Sequence, residues 1–176
     1  MYPVNPISAE TVGRSEEIIG RWISANKSRR SNFILATKHS GKGLSHVRNG
    51  VPIAKDTIQD AVEGSLKRLK TDYIDLYQFH WPNRGSYMFR QNWKYDPSKQ
   101  DKKSTLENMY ECLVILQAQV KKGNIRHFGL SNESAWGTAN WLKLSEQHNL
   151  PRVATIQNEY SLLCLSLIHI SEPTRL

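Results

Sequence analysis

Four short apolar runs, set between stretches of helical periodicity, constrain this chain more than any other feature. They fall at residues 33–37, 73–79, 125–130 and 153–156. Each has the length and the branched or aromatic content of a buried strand. Between them, apolar residues return every three or four positions. Ile58, Val62, Leu66 and Leu69 do so, and so do Leu106, Met109, Leu113, Leu116 and Val120. Strand and helix in alternation imply a parallel sheet with crossover helices. The fold class is therefore α/β. Two architectures satisfy it: an open doubly wound sheet and a (β/α)8 barrel.

The way the runs end bears on that choice. Run 73–79 is cut by His80, Trp81 and Pro82, and proline cannot donate to a sheet ladder. The other runs end on Lys38, on Ser131 with Asn132, and on Gln157. In a barrel such tips converge on one pocket at the top face. In an open sheet they spread along an edge. No glycine-rich phosphate loop follows any run, which counts against the nucleotide-binding open sheets. Each residue also has a plainer reading. His80 could be packed structure, Lys38 a surface lysine and Trp81 core, while Ser131 and Asn132 could cap the next helix.

Local signals place the helices. Ser15 is the expected N-cap of the first, with Glu16 and Glu17 in its opening turn. Its apolar face reads as Ile18, Ile19, Trp22 and Ile23. Asp56 and Gln59 resemble a capping box. Lys121, Lys122 and Gly123 form a stop signal. A last helix over 135–148 is expected to face inward through Ala139 and Leu142.

The net charge is +8, and residues 83–104 carry +4 of it. Charge concentrated in one segment argues for a polar insertion and against a nucleic-acid groove. That segment also holds Tyr87, Phe89, Trp93 and Tyr95, and its length suits a lid over a site. No apolar run approaches a membrane span. The two cysteines, Cys112 and Cys164, form no disulfide framework, which points to a cytoplasmic setting. His39, His46, His127 and His148 lack metal-ligand spacing and read as surface residues or as neighbours of a site.

The motifs LKTDYIDLYQFHWP, KKGNIRHFGLSN, ILATK and MYPV together resemble the aldo-keto reductases, and most of all one bacterial branch of that family. The resemblance covers residues 1–164. It implies a partial (β/α)8 TIM barrel, from about the end of the second strand through the sixth, and NADP(H) as cofactor. The implied reaction is hydride transfer to the carbonyl of a small aldehyde or ketone. Tyr2, Lys38 and His80 match the catalytic tyrosine, lysine and histidine. Ser131, Asn132 and Gln157 match the positions that hold the nicotinamide carboxamide, and Trp81 is placed in the substrate pocket. A non-catalytic, NADP(H)-sensing subunit of the same fold is the alternative. Neither a metal, nor nucleic acid, nor a membrane is implied.

The chain departs from the family at both ends. The resemblance implies further strands ahead of Met1, with the catalytic aspartate just before Tyr2. Residues 165–176, LSLIHISEPTRL, read as an in-frame adapter sequence, the alternative being a short apolar strand. A barrel cut in this way leaves two unpaired edges and an exposed, apolar interior. The fragment alone is expected to be unstable and inactive.

Overall fold

The computed structural model describes residues 8–87, 89, 91 and 93–159. Four parallel strands form one sheet in chain order: β1 (Ala36–His39), β2 (Ile74–Phe79), β3 (Ile125–Ser131) and β4 (Val153–Gln157). The helices α1 (Arg14–Ala25), α2 (Lys55–Leu69), α3 (Lys102–Lys121) and α4 (Ala135–His148) precede these strands in turn.

The hydrophobic core lies between sheet and helices. Tyr77, Phe79, Phe128 and Leu130 point into it and meet Met109, Leu113, Leu116 and Trp141. Phe128 is edge-on to both Phe79 (5.0 Å) and Trp141 (5.5 Å), an arrangement suited to ring quadrupoles. On the other face, a Cβ built at Gly129 would meet Thr155, Gln78 and Leu76, so those side chains share that side. No described helix covers it. Leu76 is half-buried, and His127 and Thr155 are exposed. Ala36, opposite Leu76 and on the Lys38 side of β1, is exposed as well, so the face presents apolar and polar surface together. Among the described residues the outer strands are β1 and β4.

Several element boundaries differ from expectation, each for a local reason. α1 starts at Arg14 behind Gly13, whose φ of 81° suits glycine alone, so Ser15 lies inside the helix and does not cap it. Its buried stripe is Glu16, Gly20 and Ile23, whereas Ile18 and Trp22 are about half exposed. Gly20 sets that stripe, since a Cβ there would collide with the Arg68 carbonyl of α2. β1 begins at Ala36, three residues later than the apolar run, and Ile34 is 81% exposed. The Leu35 carbonyl already accepts from the Leu76 N–H at 3.0 Å, but the Leu35 N–H is taken by the Asp75 carboxylate at 3.0 Å, so the ladder extends no further back. α2 opens at Lys55, where Thr57 Oγ1 accepts from the Ala54 N–H and Asp56 merely sits in the first turn.

Asp101 caps α3 by accepting from the Ser104 N–H, which moves Lys102 and Lys103 out of the loop and into the helix. Ser134 caps α4, so Ser131 and Asn132 do not. α4 faces inward through Gly137, Trp141 and Ser145, with Ala139 exposed. A Cβ at Gly137 would strike the Glu133 and Arg84 side chains, so the small residue there leaves room for them.

Two buried polar hubs tie the layers together. Glu16 accepts from Thr37 Oγ1 on β1 (2.5 Å) and from Arg68 Nε on α2 (2.6 Å). Asp75 accepts from the Leu35 N–H, from Arg30 (2.7 Å) and from Arg126 (2.9 Å). Arg30 and Arg126 also stack on the Tyr73 ring, at 3.9 and 4.0 Å. Burial alone would raise the Asp75 pKa. The Leu35 N–H and the two guanidiniums outweigh it and hold the carboxyl below its usual range. Asp75→Asn would leave Arg30 buried without its counter-charge. Urea denaturation is expected to show a loss of about 3 kcal/mol or more, and an unchanged midpoint would contradict this account of the hub.

Candidate active site

Parallel pairing brings the sequence-predicted residues to one edge of the sheet. Lys38 lies opposite Gln78 and His39 opposite Phe79. The His80 N–H then donates to the His39 carbonyl at 2.8 Å, extending the ladder one residue past β2. Ser131 lies opposite Gln157, and the Asn132 N–H donates to the Gln157 carbonyl at 3.0 Å. Four consecutive strand tips thus carry Lys38, His80, Ser131 and Gln157. Asn132 adopts φ 54° and turns its amide back across them. Its Nδ2 donates to the His80 carbonyl (2.8 Å) and to Ser131 Oγ (3.1 Å), leaving its side-chain oxygen for a ligand.

A cavity of about 720 Å³ opens beside these tips, and Lys38, His80, Trp81 and Phe89 all line it. Its other end runs past the open edge of β1 to Glu16 and Arg68. Trp81 stacks near His80 (4.7 Å between ring centres), and Phe89 closes on both rings at 5.7 and 6.3 Å. Trp81 is anchored from below. Its Nε1 donates to the Lys42 carbonyl at 3.1 Å, and a Cβ at Gly41 would strike its ring. Ser131, Asn132 and Gln157 sit on the neighbouring tips and do not line this cavity. Tyr2 lies outside the described residues.

Burial sets the charge states. Lys38 is half-buried and has no hydrogen-bond or ion-pair partner among the described residues, and desolvation lowers its pKa. His80 is 5% exposed, and burial, with the Lys38 charge adding to it, lowers its pKa to about 3. The imidazole is neutral at physiological pH. His39, the next residue after Lys38, points the other way into the core. It is 1% exposed, and burial together with the Arg48 charge lowers its pKa to about 3.

Three residues near the site were not singled out in the sequence. Gln78 shares the face of His80 and is legible from period two. Arg84 and Glu133 form a buried ion pair linking the loop after β2 to the loop after β3. That pair joins residues 49 apart in the chain, and no local pattern marks it. Among the described residues, no cluster of His, Cys, Asp or Glu could hold a metal ion. No described helix is long and apolar enough to cross a membrane.

A parallel sheet with polar groups at its carboxyl tips and helices on its back is the layout of one side of an α/β barrel. Comparison with known proteins makes this specific. The profile described as the Aldo/keto reductase family matches residues 8–173. Protein tas of Escherichia coli (strain K12) is 40% identical over 166 residues, covering 93% of this chain and 46% of that protein. An aldo-keto reductase of Babesia bovis is 40% identical over 141 residues, covering 76% and 49%. Among solved structures, a thermostable aldo-keto reductase, Tm1743, in complex with the inhibitor epalrestat is similar with a TM-score of 0.57. It is 26% identical, and the match covers 84% of this chain and 41% of that one. The chain belongs to the aldo/keto reductase family, whose members are generally NADP-dependent oxidoreductases. It spans about half the length of the curated relatives it matches.

The two buried imidazoles make stability depend on pH. Each has a folded-state pKa of about 3, against an ordinary value of 6.5. The unfolded chain therefore takes up protons that the folded chain refuses. Stability is fully present above about pH 6.5 and is lost as pH falls toward 3. From about pH 7 to 5 each histidine is expected to contribute a loss of about 2 kcal/mol, read from urea midpoints. His39→Gln should remove about half of that pH dependence; a pH-independent midpoint would contradict the burial of both rings.

Proposed function

We propose that this chain contributes the catalytic face of an NADPH-dependent reductase that converts small aldehydes or ketones to alcohols. One observation carries the reading: a half-buried ammonium, Lys38, unpartnered among the described residues, and a buried neutral imidazole, His80, face the same cavity. The family supports it, since its members generally carry out this class of redox chemistry.

The charge states divide the labour. A neutral imidazole keeps one ring N–H and can donate it to a carbonyl oxygen. With a pKa of about 3, His80 has no proton to give up near neutral pH. The proton that completes the alcohol must come from elsewhere, and Tyr2 is the proposed acid. A phenol alone is too weak, with a pKa of about 10. A lysine ammonium beside it favours the phenolate and so makes the phenol a stronger acid. Half-burial of Lys38 helps, because its field is less screened than in open water.

NADP(H), when bound, supplies the hydride. The residues at the strand tips suit its carboxamide, which needs both donors and acceptors. The Ser131 hydroxyl, the remaining oxygen of Asn132 and the exposed amide of Gln157 offer both kinds. Trp81 and Phe89 give the substrate cavity apolar walls, so carbonyl compounds with an apolar or aromatic body are the preferred class. We place the reaction in the cytoplasm, where a lone buried thiol such as Cys112 stays reduced. Residues 1–176 supply four described strands where a closed barrel has eight, so we expect no turnover from them in isolation.

The test is NADPH consumption with an aromatic aldehyde, using the protein at the length of its relatives. Lys38→Met should lower kcat about 100-fold or more, with KM changed far less. His80→Gln, which keeps an N–H donor, should lose less than His80→Ala. Undiminished turnover by Lys38→Met would overturn the assignment. NADPH binding by the wild type with no turnover would instead favour a cofactor sensor.

A further inference from the structure

A second cavity, of about 480 Å³, lies between the sheet and the helix layer on the far side of Trp81. It adjoins the proposed catalytic site, since Trp81 and Ser131 lie in its lining, but Lys38 and His80 do not line it. Its lining includes the apolar Phe79, Leu130, Met109 and Trp141, the buried Arg84 side chain and the exposed Ser104. Residues of β2, β3, α3 and α4 build most of it, and Lys42, Pro52 and Ile53 of the loop after β1 complete its lining.

Hydrogen-bond accounting shows what it would accept. Trp141 is 5% exposed, and its buried indole Nε1 has no partner among the described residues. The buried Nε of Arg84 also has none. The other guanidinium nitrogens of Arg84 are taken by Glu133 and Ser134. The Glu133 carboxylate is itself saturated by Arg84 and by the Ser134 N–H. Among the described residues of the lining, the unanswered buried groups are thus both donors. Lys99 adds a largely exposed ammonium at the rim. Buried donors call for an acceptor. A volume of this size with apolar walls and a few placed polar groups is that of a small-molecule site. Cys112 also lines the cavity, but burial keeps it a thiol, so reversible binding is the chemistry that fits.

We propose that this cavity is a second ligand site, for a small molecule with a flat apolar body and a carboxylate. Trp81 lines both cavities, so an occupant bears on the wall of the Lys38 cavity. The site is an effector site adjoining the catalytic one.

The test titrates 3-phenylpropanoate into the protein at the length of its relatives, read by calorimetry and tryptophan fluorescence. One saturable site is expected in addition to anything bound at Lys38. Trp141→Phe keeps an aromatic side chain, though a smaller one, and removes the donor, and it should weaken binding about tenfold or more, the effect of at least one lost hydrogen bond. Ser104→Trp fills the cavity from an exposed position that does not disturb the core, and it should abolish binding. Propylbenzene, with the same body and no acceptor, should bind at least tenfold more weakly than the acid. Lys38→Met should leave the site intact, which separates it from failure of the reductase reading. Absence of binding overturns the proposal. So does binding that is lost in Lys38→Met but kept in Ser104→Trp, because the probe would then lie in the catalytic cavity.

Discussion

The register of β1 against β2 is the constraint on which the rest of the structure depends. Side chains alternate along a strand, so a slip of one residue would turn every one of them to the wrong face. With Ala36 opposite Leu76, Lys38 faces the open side and His39 the core. Slipped by one, the chain would bury an ammonium and expose a core histidine. Asp75 pins the correct register at the other end of the strand pair. It captures the Leu35 N–H, which fixes where pairing begins, and it is held as a carboxylate by Arg30 and Arg126.

Stability and chemistry are thereby set at opposite ends of the same strands. The amino ends carry the Asp75 hub and the stacked Tyr73 ring. The carboxyl ends carry Lys38, His80, Ser131 and Gln157, with loops free to vary around them. That separation is general in barrels built from parallel strands. Here it explains why an ionised hub so close in sequence to His80 plays no part in the site.

Much of this was legible in the residues. Periodicity located the four strands and the helices between them, because apolar spacing is set by burial and burial dominates folding. The family motifs then assigned Lys38, His80 and the amide residues to one edge. What the sequence concealed has physical causes. The start of β1 moved because a side chain forty residues away took the Leu35 N–H. The inward face of α4 moved to Gly137, Trp141 and Ser145, and its small residues carry no hydropathy signal. The Arg84–Glu133 pair and the pocket behind Trp81 arise from contacts between distant segments and have no local signature. Tyr2, the proposed acid, lies outside the described residues and rests on the motif alone.

The most direct test of the central claim is a structure of the protein, at the length of its relatives, with NADP⁺ bound. The account predicts that the nicotinamide carboxamide makes hydrogen bonds to Ser131, Asn132 and Gln157. It also predicts that Lys38 and His80 flank the space left for the substrate carbonyl. A cofactor bound with its nicotinamide remote from these strand tips would contradict it.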